Sequence, residues 1–412
     1  MLSQLAGSLH SSLSRDNKRK VHMNSSLKRG LGVIAATSLV LSGFAASTAQ
    51  AAKVAKVINV KIGYQGPLTG DNAQTGIDEI AGVKYAVAKF NATNKKYKVT
   101  LVALDDQGSG TFAGPIAAKT AKDTSIIGVV GPAFSGASIA SFPYYKAGKL
   151  TLVSPSATRV TLTDPTVASD FGGPVFHRLP SKDDKQGPAL AKLAVQGVAN
   201  PVVFAVNDQS SYGVGLDGYV QKALAATGVK LGGTDSVDGT NASLDLSATI
   251  AKITGASANV VIYSGYYAQA ASFVKQLRDA GYTGIFASGD GTYDPGFVTL
   301  AKTAAEGSRL TASSAVFQDI GPKLTADFTK VVGTAPGTYA VEDYDAANIF
   351  LTCISKGATT RALIAACVSK GGFKGLFGNK ISFDANGDVA GAGFINGFLV
   401  KNGVIVSTGQ VK

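Results

Sequence analysis

Short runs of β-branched and aromatic residues alternate with longer segments of helical spacing from Val57 onward. The first four runs, which we predict to be strands, lie at 57–64, 97–105, 125–131 and 149–155. Each run is followed by about ten to twenty residues whose apolar positions recur with the period of a helix. This alternation is typical of βαβ units, so it predicts parallel strands with helices packed against them.

A second series with the same pattern begins near residue 200. Its predicted strands lie at 201–207, 229–237, 258–265 and 283–289. The two series share an architecture but no obvious sequence repeat. We therefore predict an α/β protein with two doubly wound lobes, each built around a parallel central sheet.

The pattern changes after about residue 310. Residues 323–372 are mostly helical in spacing, and residues 380–409 alternate in polarity around Asn-Gly and Asp-Gly pairs that favour β-hairpin turns. We expect the helical pair to return to the first lobe and the hairpin to complete the second lobe. The chain would then cross between the lobes three times, which gives a three-segment hinge. The predicted divisions are 1–51 for a leader, 56–177 plus 311–390 for the N-terminal lobe, and 178–310 plus 391–412 for the C-terminal lobe.

The first fifty-one residues resemble an export signal. Basic clusters at 18–20 and 28–29 precede an apolar run at 31–46 and the small-residue site Ala-Gln-Ala at 49–51. We expect cleavage near Ala51, with either Met1 or Met23 as the start. A retained membrane anchor is the alternative, although the apolar run is short for a bilayer span. No cysteine follows the run, so we expect a periplasmic or extracellular protein without a lipid anchor.

The charge of the chain does not indicate a nucleic-acid partner. The formal net charge is +12, and removal of residues 1–51 takes away six Lys or Arg and one acid, which leaves 33 − 26 = +7. The remaining basic residues are scattered, without runs or interleaved aromatics. A solvated surface is the expected role of these charges.

Few residues are available for catalysis or metal binding. His10 and His22 lie in the leader, so only His177 remains, which excludes a histidine-rich metal site. The sequence of 384–388 has part of a calcium-loop pattern, but a hairpin turn is favoured because the spaced glutamate is missing. No cofactor is expected. In an oxidising compartment Cys353 and Cys367 favour a structural disulfide between adjacent helices, with a redox centre or two free buried thiols as the alternatives.

Segments that follow predicted strands of the first lobe are rich in small residues and hydroxyls. In parallel sheets ligands bind beyond the carboxyl ends of strands, where helix N-termini present backbone N–H groups. The segments 131–138 and 154–158 lie at such ends and carry Ser135 and Thr158 as donors. They are suited to an anion such as a carboxylate.

The corresponding segments of the second lobe supply an acid and aromatic rings. They are 207–213, 263–267 and 288–295, and they contain Tyr212, Tyr266 and Asp290. These side chains are suited to an ammonium group. A carboxylate site and an ammonium site on opposite lobes together predict an α-amino acid held in the cleft. The alternative is that each segment only caps a helix.

The mature chain also resembles a known family over nearly its whole length, from about residue 57 to the C-terminus. The matching stretches, in order, are KIGYQGPLTGDNAQTG, LDDQGSGTFAGPIAAK, VVGPAFSGASIAS, LVSPSAT, HRLPSKDDKQGPALAK, NDQSSYGVGL, IYSGYYAQAASFVKQLRDAG, YAVEDYDAANIF and ISFDANGD. Their order is similar to that in branched-chain amino-acid-binding proteins of ABC transporters. The resemblance implies the fold of a type I periplasmic binding protein.

The resemblance also implies roles for individual residues. Ser135 and Thr158, with the backbone at Ser156, would bind the ligand carboxylate, and Asp290 would bind the ammonium. The residues implied as the walls of the cleft are Tyr212, Tyr266 and Tyr339.

Departures from the family leave the side-chain preference open. The family usually has glutamate at the position of Asp290 and often tyrosine at that of Thr75, so this pocket has a shorter acid and one ring fewer. The family's cysteine pair in the first lobe is missing, with Asp106 and Phe134 near those places. Cys353 and Cys367 would form a different bridge.

These observations predict an exported solute-binding protein, monomeric and not an enzyme. It would bind an amino acid, branched-chain or related, or an amide-like solute, and deliver it to an ABC permease in the membrane. Two alternatives remain on the same architecture. One is a secreted hydrolase, which would need an activated nucleophile, and the other is a ligand-sensing module that acts with a separate signalling partner.

Overall fold

The computed structural model describes residues 56–316, 319, 321–391 and 393–412. The predicted leader therefore lies outside the described residues.

In the described part, every helix is too short or too polar to cross a membrane. The strands are β1 (Ile58–Gly66), β2 (Tyr97–Asp105), β3 (Ile126–Val130), β4 (Thr151–Ser154), β5 (Phe176–Arg178), β6 (Val202–Asn207), β7 (Lys230–Ser236), β8 (Val260–Ser264), β9 (Ile285–Ser288), β10 (Arg309–Ala312), β11 (Phe373–Lys374), β12 (Lys380–Ile381), β13 (Asn396–Lys401) and β14 (Val404–Gln410). The helices are α1 (Ala73–Thr93), α2 (Gly110–Lys122), α3 (Ser135–Ala147), α4 (Asp183–Val195), α5 (Ser211–Thr227), α6 (Ser247–Gly255), α7 (Tyr267–Asp279), α8 (Pro295–Ala301), α9 (Pro322–Val332), α10 (Ala340–Ser355) and α11 (Arg361–Val368).

The first sheet is entirely parallel, with strand order β2-β1-β3-β4-β5. Every residue of β3, which has the sequence IIGVV, is buried. Such continuous apolar runs are typical of strands that are covered on both faces. Helices α1, α10 and α11 pack on one face, and α2 and α3 pack on the other. This first sheet is therefore doubly wound, as predicted.

The second sheet has the strand order β14-β13-β10-β9-β8-β6-β7. Strands β10, β9, β8, β6 and β7 are parallel, and β13 pairs antiparallel with both β10 and β14. Helices α4 and α5 cover one face, and α6, α7 and α8 cover the other. The predicted terminal hairpin is thus β13–β14, which completes this sheet.

The chain passes between the two sheets three times. It leaves the first sheet after β5, returns after β10 to form α9, α10 and α11, and leaves again after β12 for β13. The predicted lobe boundaries at 177–178, 310–311 and 390–391 stay predictions, and β5 and β10 run across the first two of them. The hairpin turn predicted at 384–388 is confirmed, since Phe383 and Val389 form an antiparallel bridge around it.

A buried arginine connects two of these passages. Arg178, at the end of β5, is fully buried, and its Nε donates to Oδ1 of Asp388 at 2.6 Å. Its Nη1 donates to the carbonyls of Ala157 and Arg159 at 3.2 and 2.6 Å. Burial alone would raise the pKa of Asp388, but Arg178 and Lys182 lower it below its usual range.

A disulfide joins two helices of the first sheet. Cys353 in α10 is bonded to Cys367 in α11, and both helices pack on the same face. The bridge therefore ties the returning helical segment to itself rather than to a strand.

Candidate functional site

The first sheet contributes hydroxyls and backbone amides at the ends of β3 and β4. Ser135 is the first residue of α3, and the first amides of a helix have no acceptor within that helix. The Oγ of Ser156 donates to the carbonyl of Ala133 at 3.0 Å, and the Oγ of Ser135 accepts from the backbone N–H of Arg159 at 3.3 Å. These side chains are buried but face the end of the sheet where helix α3 begins.

The second sheet contributes a carboxylate that three side chains hold in place. Tyr212 and Gln186 donate to Oδ1 of Asp290 at 2.6 and 2.8 Å, and Tyr339 donates to Oδ2 at 2.5 Å. The backbone N–H of Asp290 donates in turn to Oε1 of Gln186 at 2.8 Å. Both the position and the orientation of this carboxylate are therefore fixed.

The environment of Asp290 shifts its protonation equilibrium. Burial raises the pKa of Asp290, and the hydrogen bonds from Tyr212, Tyr339 and Gln186 counteract part of that rise. A cation beside Oδ2 would lower this pKa again, because an opposite charge favours the ionised form. The site is thus arranged to accept a positively charged group.

A glycine next to Asp290 allows Tyr212 to approach. A Cβ atom at Gly291 would lie 2.7 Å from Cε1 of Tyr212 and 2.7 Å from the carbonyl of Gly265. Contacts this short do not occur in proteins without displacement of a neighbour. The Gly-Asp-Gly sequence at 289–291 is therefore a local signal that a ring packs against this turn.

These groups surround one small cavity between the carboxyl ends of the two sheets. Its volume is about 20 Å³. It is lined by Thr75, Ala133, Phe134, Ser135, Ser156, Tyr212, Tyr266, Asp290, Gly291 and Tyr339. All the residues that the sequence predicted for ligand binding are brought together here except Thr158.

Thr158 lies behind the cavity rather than in its wall. Its side chain is buried, and its carbonyl accepts from the backbone N–H of Asp183 at 3.1 Å. Burial raises the pKa of Asp183 to about 8, the negative charge of Asp290 adds to the rise, and Thr158 acts in the opposite direction. Thr158 therefore influences an acid next to the site.

Sequence reasoning missed three residues of the site. Phe134 lines the cavity directly before Ser135, Gln186 bonds Asp290 from the first turns of α4, and Asp183 begins that helix. The segment 181–190 matches the family stretch, which could have drawn attention to Gln186. Its contact with Asp290, 104 residues away in sequence, depends on the tertiary fold.

Two larger cavities lie elsewhere. One of about 1180 Å³ lies between α8 and the β13–β14 hairpin, and one of about 520 Å³ lies beside residues 377–391 and 393–396. None of the predicted ligand-binding residues lines either of them. Over the described ranges, no group of three or more His, Cys, Asp or Glu side chains is arranged to hold a metal ion.

Residues 59–395 match the sequence profile of the family described as periplasmic binding protein. The chain belongs to this family. The family consists of solute-binding proteins rather than enzymes.

Named relatives are similar over most of this periplasmic binding protein. The Leu/Ile/Val-binding protein homolog 2 of Brucella abortus is 29% identical over 341 residues, which is 80% of this chain and 87% of the relative. The leucine-, isoleucine-, valine-, threonine- and alanine-binding protein of Pseudomonas aeruginosa is 26% identical, with coverage of 80% and 87%.

Solved structures have the same fold. The leucine-binding protein LivK of Thermotoga maritima has a TM-score of 0.75 and 25% identity, and the match covers 86% of this chain and 99% of that one. The substrate-binding protein LivJ of Streptococcus pneumoniae, solved in complex with isoleucine, has a TM-score of 0.74 and 23% identity, with coverage of 86% and 99%. This periplasmic binding protein therefore has the architecture of ABC transporter substrate-binding proteins.

Proposed function

We propose that this protein is the exported, monomeric solute-binding component of an ABC importer. It binds an amino acid, branched-chain or related, or an amide-like solute between its two sheets and delivers it to a membrane permease. The names of its relatives, which bind leucine, isoleucine and valine, support an amino acid. The observation that carries the proposal is the carboxylate of Asp290, fixed by three donors on the wall of the cavity.

Asp290 receives the ammonium of the ligand. A carboxylate offers about four acceptor positions, and two of these on Oδ1 and one on Oδ2 are used by Tyr212, Gln186 and Tyr339. The remaining position on Oδ2 is available for an N–H donor. A hydrogen bond to a charged group contributes roughly 1.5–3 kcal/mol, so this single contact discriminates strongly between ligands with and without an amine.

The N-terminus of α3 receives the carboxylate of the ligand. No lysine or arginine is among the described residues that line the cavity. A carboxylate would instead be bound by the helix N-terminus, where the dipole and the free amides favour an anion. Ser135 and the backbone at Ser156 add donors, and we assign no direct contact to Thr158.

The buried ionisable groups of the described residues favour a ligand with a positive group. Arg178 is the only buried lysine or arginine of the described residues. The buried acids of the same part of the chain are Asp78, Glu79, Asp106, Asp183, Asp208, Asp217, Asp290, Asp294, Glu342, Asp343 and Asp345. A negative charge beside these acids would raise their pKa further, whereas an ammonium beside Asp290 would lower the pKa of that group, so a zwitterion that presents its ammonium to Asp290 is favoured over a simple anion.

Closure of a hinge completes the site. Thr75 of α1 donates to Oδ2 of Asp294 at 2.7 Å, and Tyr267 of α7 accepts at its hydroxyl from the backbone N–H of Gln74 at 3.2 Å. These bonds join the sides of the cleft. A ligand that contacts both sides stabilises this closed arrangement by its differential affinity for it.

A thermal-shift screen tests the proposal. The panel contains α-amino acids, short amides, urea and aromatic acids, together with the amine and the carboxylic acid that each lack one group of the amino acid. A ligand that binds only the folded state stabilises it by about 2.7 kcal/mol at a hundredfold excess over Kd. We expect amino acids to raise the melting temperature and each truncated analogue to raise it much less at the same concentration. Stabilisation by aromatic acids alone would refute an ammonium site.

A further inference from the structure

Two aromatic rings meet across the cavity. Phe134 precedes α3 of the first sheet and Tyr266 precedes α7 of the second. Their ring centroids are 4.0 Å apart and the planes differ by 16°, which is a stacked arrangement. At this separation the rings are in van der Waals contact, so no ligand atom fits between them.

The ring of Phe134 is supported from behind. Gly108 has a left-handed backbone with φ of 69°, and a Cβ atom there would lie 2.7 Å from Cε2 of Phe134. The N–H of Gly108 donates to Oδ1 of Asp106 at 2.9 Å, and Nε2 of Gln65 donates to Oδ2 at 3.0 Å. Because these hydrogen bonds fix the turn, Gly108 limits the movement of the Phe134 ring on that side.

Tyr266 is supported in a similar way. Its ring lies 5.3 Å from that of Tyr212, with a tilt of 38°. Tyr212 is itself fixed by its hydrogen bond to Asp290 at 2.6 Å. The two supported rings leave a cavity of about 20 Å³, which is room for about one water molecule.

We infer that Phe134 limits the size of the ligand and makes this site favour amino acids with the shorter side chains. The inference rests on the proposed function and adds the substrate class. The ring of Phe134 lines the same cavity as Asp290 and Ser135, so a bulky side chain on the ligand would have to displace this ring. Removal of that ring opens space at the side-chain end while Asp290 and Ser135 remain in place.

Calorimetry with glycine, alanine, valine and leucine tests this assignment. The proteins are the wild type, Phe134→Ala, Phe134→Leu and the control Phe112→Ala, whose ring is 47% exposed on α2. We expect the wild type to bind alanine at least tenfold more tightly than leucine. We expect Phe134→Ala to shift the leucine-to-alanine affinity ratio toward leucine by tenfold or more, Phe134→Leu to shift it less, and Phe112→Ala to leave it unchanged.

The outcomes separate the two proposals. If amino acids bind the wild type but leucine binds as tightly as alanine, the size limit is wrong and the proposed function stands. A leucine-to-alanine affinity ratio that is unchanged in both Phe134 variants also refutes the size limit. If Phe134→Ala does not unfold cooperatively, the ratio in Phe134→Leu decides whether the size limit holds. If no amino acid of any size binds the wild type, the proposed binding of an amino acid is itself wrong.

Discussion

Tyr339 donates its hydroxyl to Oδ2 of Asp290 at 2.5 Å from a left-handed backbone conformation, with φ of 61° and ψ of 6°. This conformation costs a residue other than glycine about 1–2 kcal/mol. Tyr339 precedes α10, which packs on the first sheet, whereas Asp290 follows β9 of the second. The strained residue therefore connects the two sides of the cleft at the carboxylate, as is common for strained residues at binding sites.

We expect Tyr339→Phe to weaken amino-acid binding by roughly 10- to 100-fold, as one hydrogen bond to a charged group is lost. Without this donor Oδ2 is less well oriented, and the pKa of Asp290 rises further. Isothermal titration calorimetry measures the change. The control is Tyr144→Phe, on an exposed part of α3. Equal affinities of Tyr339→Phe and wild type would contradict a role for this bond.

The Asp290→Asn variant separates the charge of the carboxylate from its shape. We expect it to lose affinity for amino acids by roughly 10- to 100-fold, since the amide carries no negative charge for the ammonium. Affinity for carboxylic acids that lack the amine should change much less. Calorimetry with both ligand classes gives the comparison, and Asp279→Asn on the exposed end of α7 serves as the matched control. Equal losses for both classes would refute the ammonium assignment.

Stability should fall as pH rises because of Asp183. Its pKa in the folded protein is about 8, above the value of about 3.9 in an unfolded chain. The folded state therefore binds the proton more tightly between these values. The stabilisation of the folded state by the proton on Asp183 is fully present below about pH 4. It is lost progressively as the pH rises to about 8. Other carboxyls with raised pKa, such as Glu342 at about 8, act in the same direction.

We expect Asp183→Asn, which stays neutral, to reduce the slope of unfolding free energy against pH in this window. Each unit of pKa difference corresponds to about 1.4 kcal/mol. Denaturant unfolding across the pH range measures the slope, and Asp279→Asn should leave it unchanged. A slope in Asp183→Asn identical to that of the wild type would show that Asp183 does not titrate with folding.

Arg178→Met should destabilise the protein by about 3 kcal/mol, the lower end of the range for a broken buried pair, because it leaves the partly buried carboxylate of Asp388 without its main partner. Lys182 still contacts Asp388 at 2.9 Å but is only partly buried. The comparison is Lys61→Met, which breaks an exposed pair with Asp123 and should have little effect. Chemical denaturation of the two variants measures the difference. Similar stabilities would mean that the Arg178 network does not stabilise the passage between the sheets.

The disulfide should stabilise the folded protein by about 3 kcal/mol, the value expected for a closed loop of this length. Its two cysteines are 14 residues apart. Replacement of both Cys353 and Cys367 by alanine should lower the denaturation midpoint, and a thiol reductant should lower that of the wild type to a similar degree. A reductant effect that persists in the double variant would argue against this bridge as the cause.

The strands with strong local patterns could be predicted, whereas β5 and β10 could not. Strands such as β3 and β8 are continuous apolar runs whose length and composition identify them. In contrast, β5 has only three residues, Phe-His-Arg, and β10 has four. Their strand conformation comes from pairing with β4 and with β9 and β13, which a local sequence window does not contain.

Residues of the site could be predicted where they directly follow a strand, because ligands bind at that end of a parallel sheet. Ser135 and Asp290 follow strands of parallel sheets, and that rule alone identified their segments. Gln186 and Phe134 could not be assigned in this way, because an amide inside a helix and a ring before one are common structural features. Their roles depend on partners that are distant in sequence, Asp290 and Tyr266.

The antiparallel pair β13–β14 has a consequence for how the chain is made. These strands cover the β10 edge of the second sheet and come from residues 396–410, close to the C-terminus. Synthesis proceeds from the N-terminus, so β10 has no partner on this side until the final hairpin emerges. An open edge of this kind can pair with other chains and aggregate. A chain terminated before Asn396 would keep that edge exposed permanently.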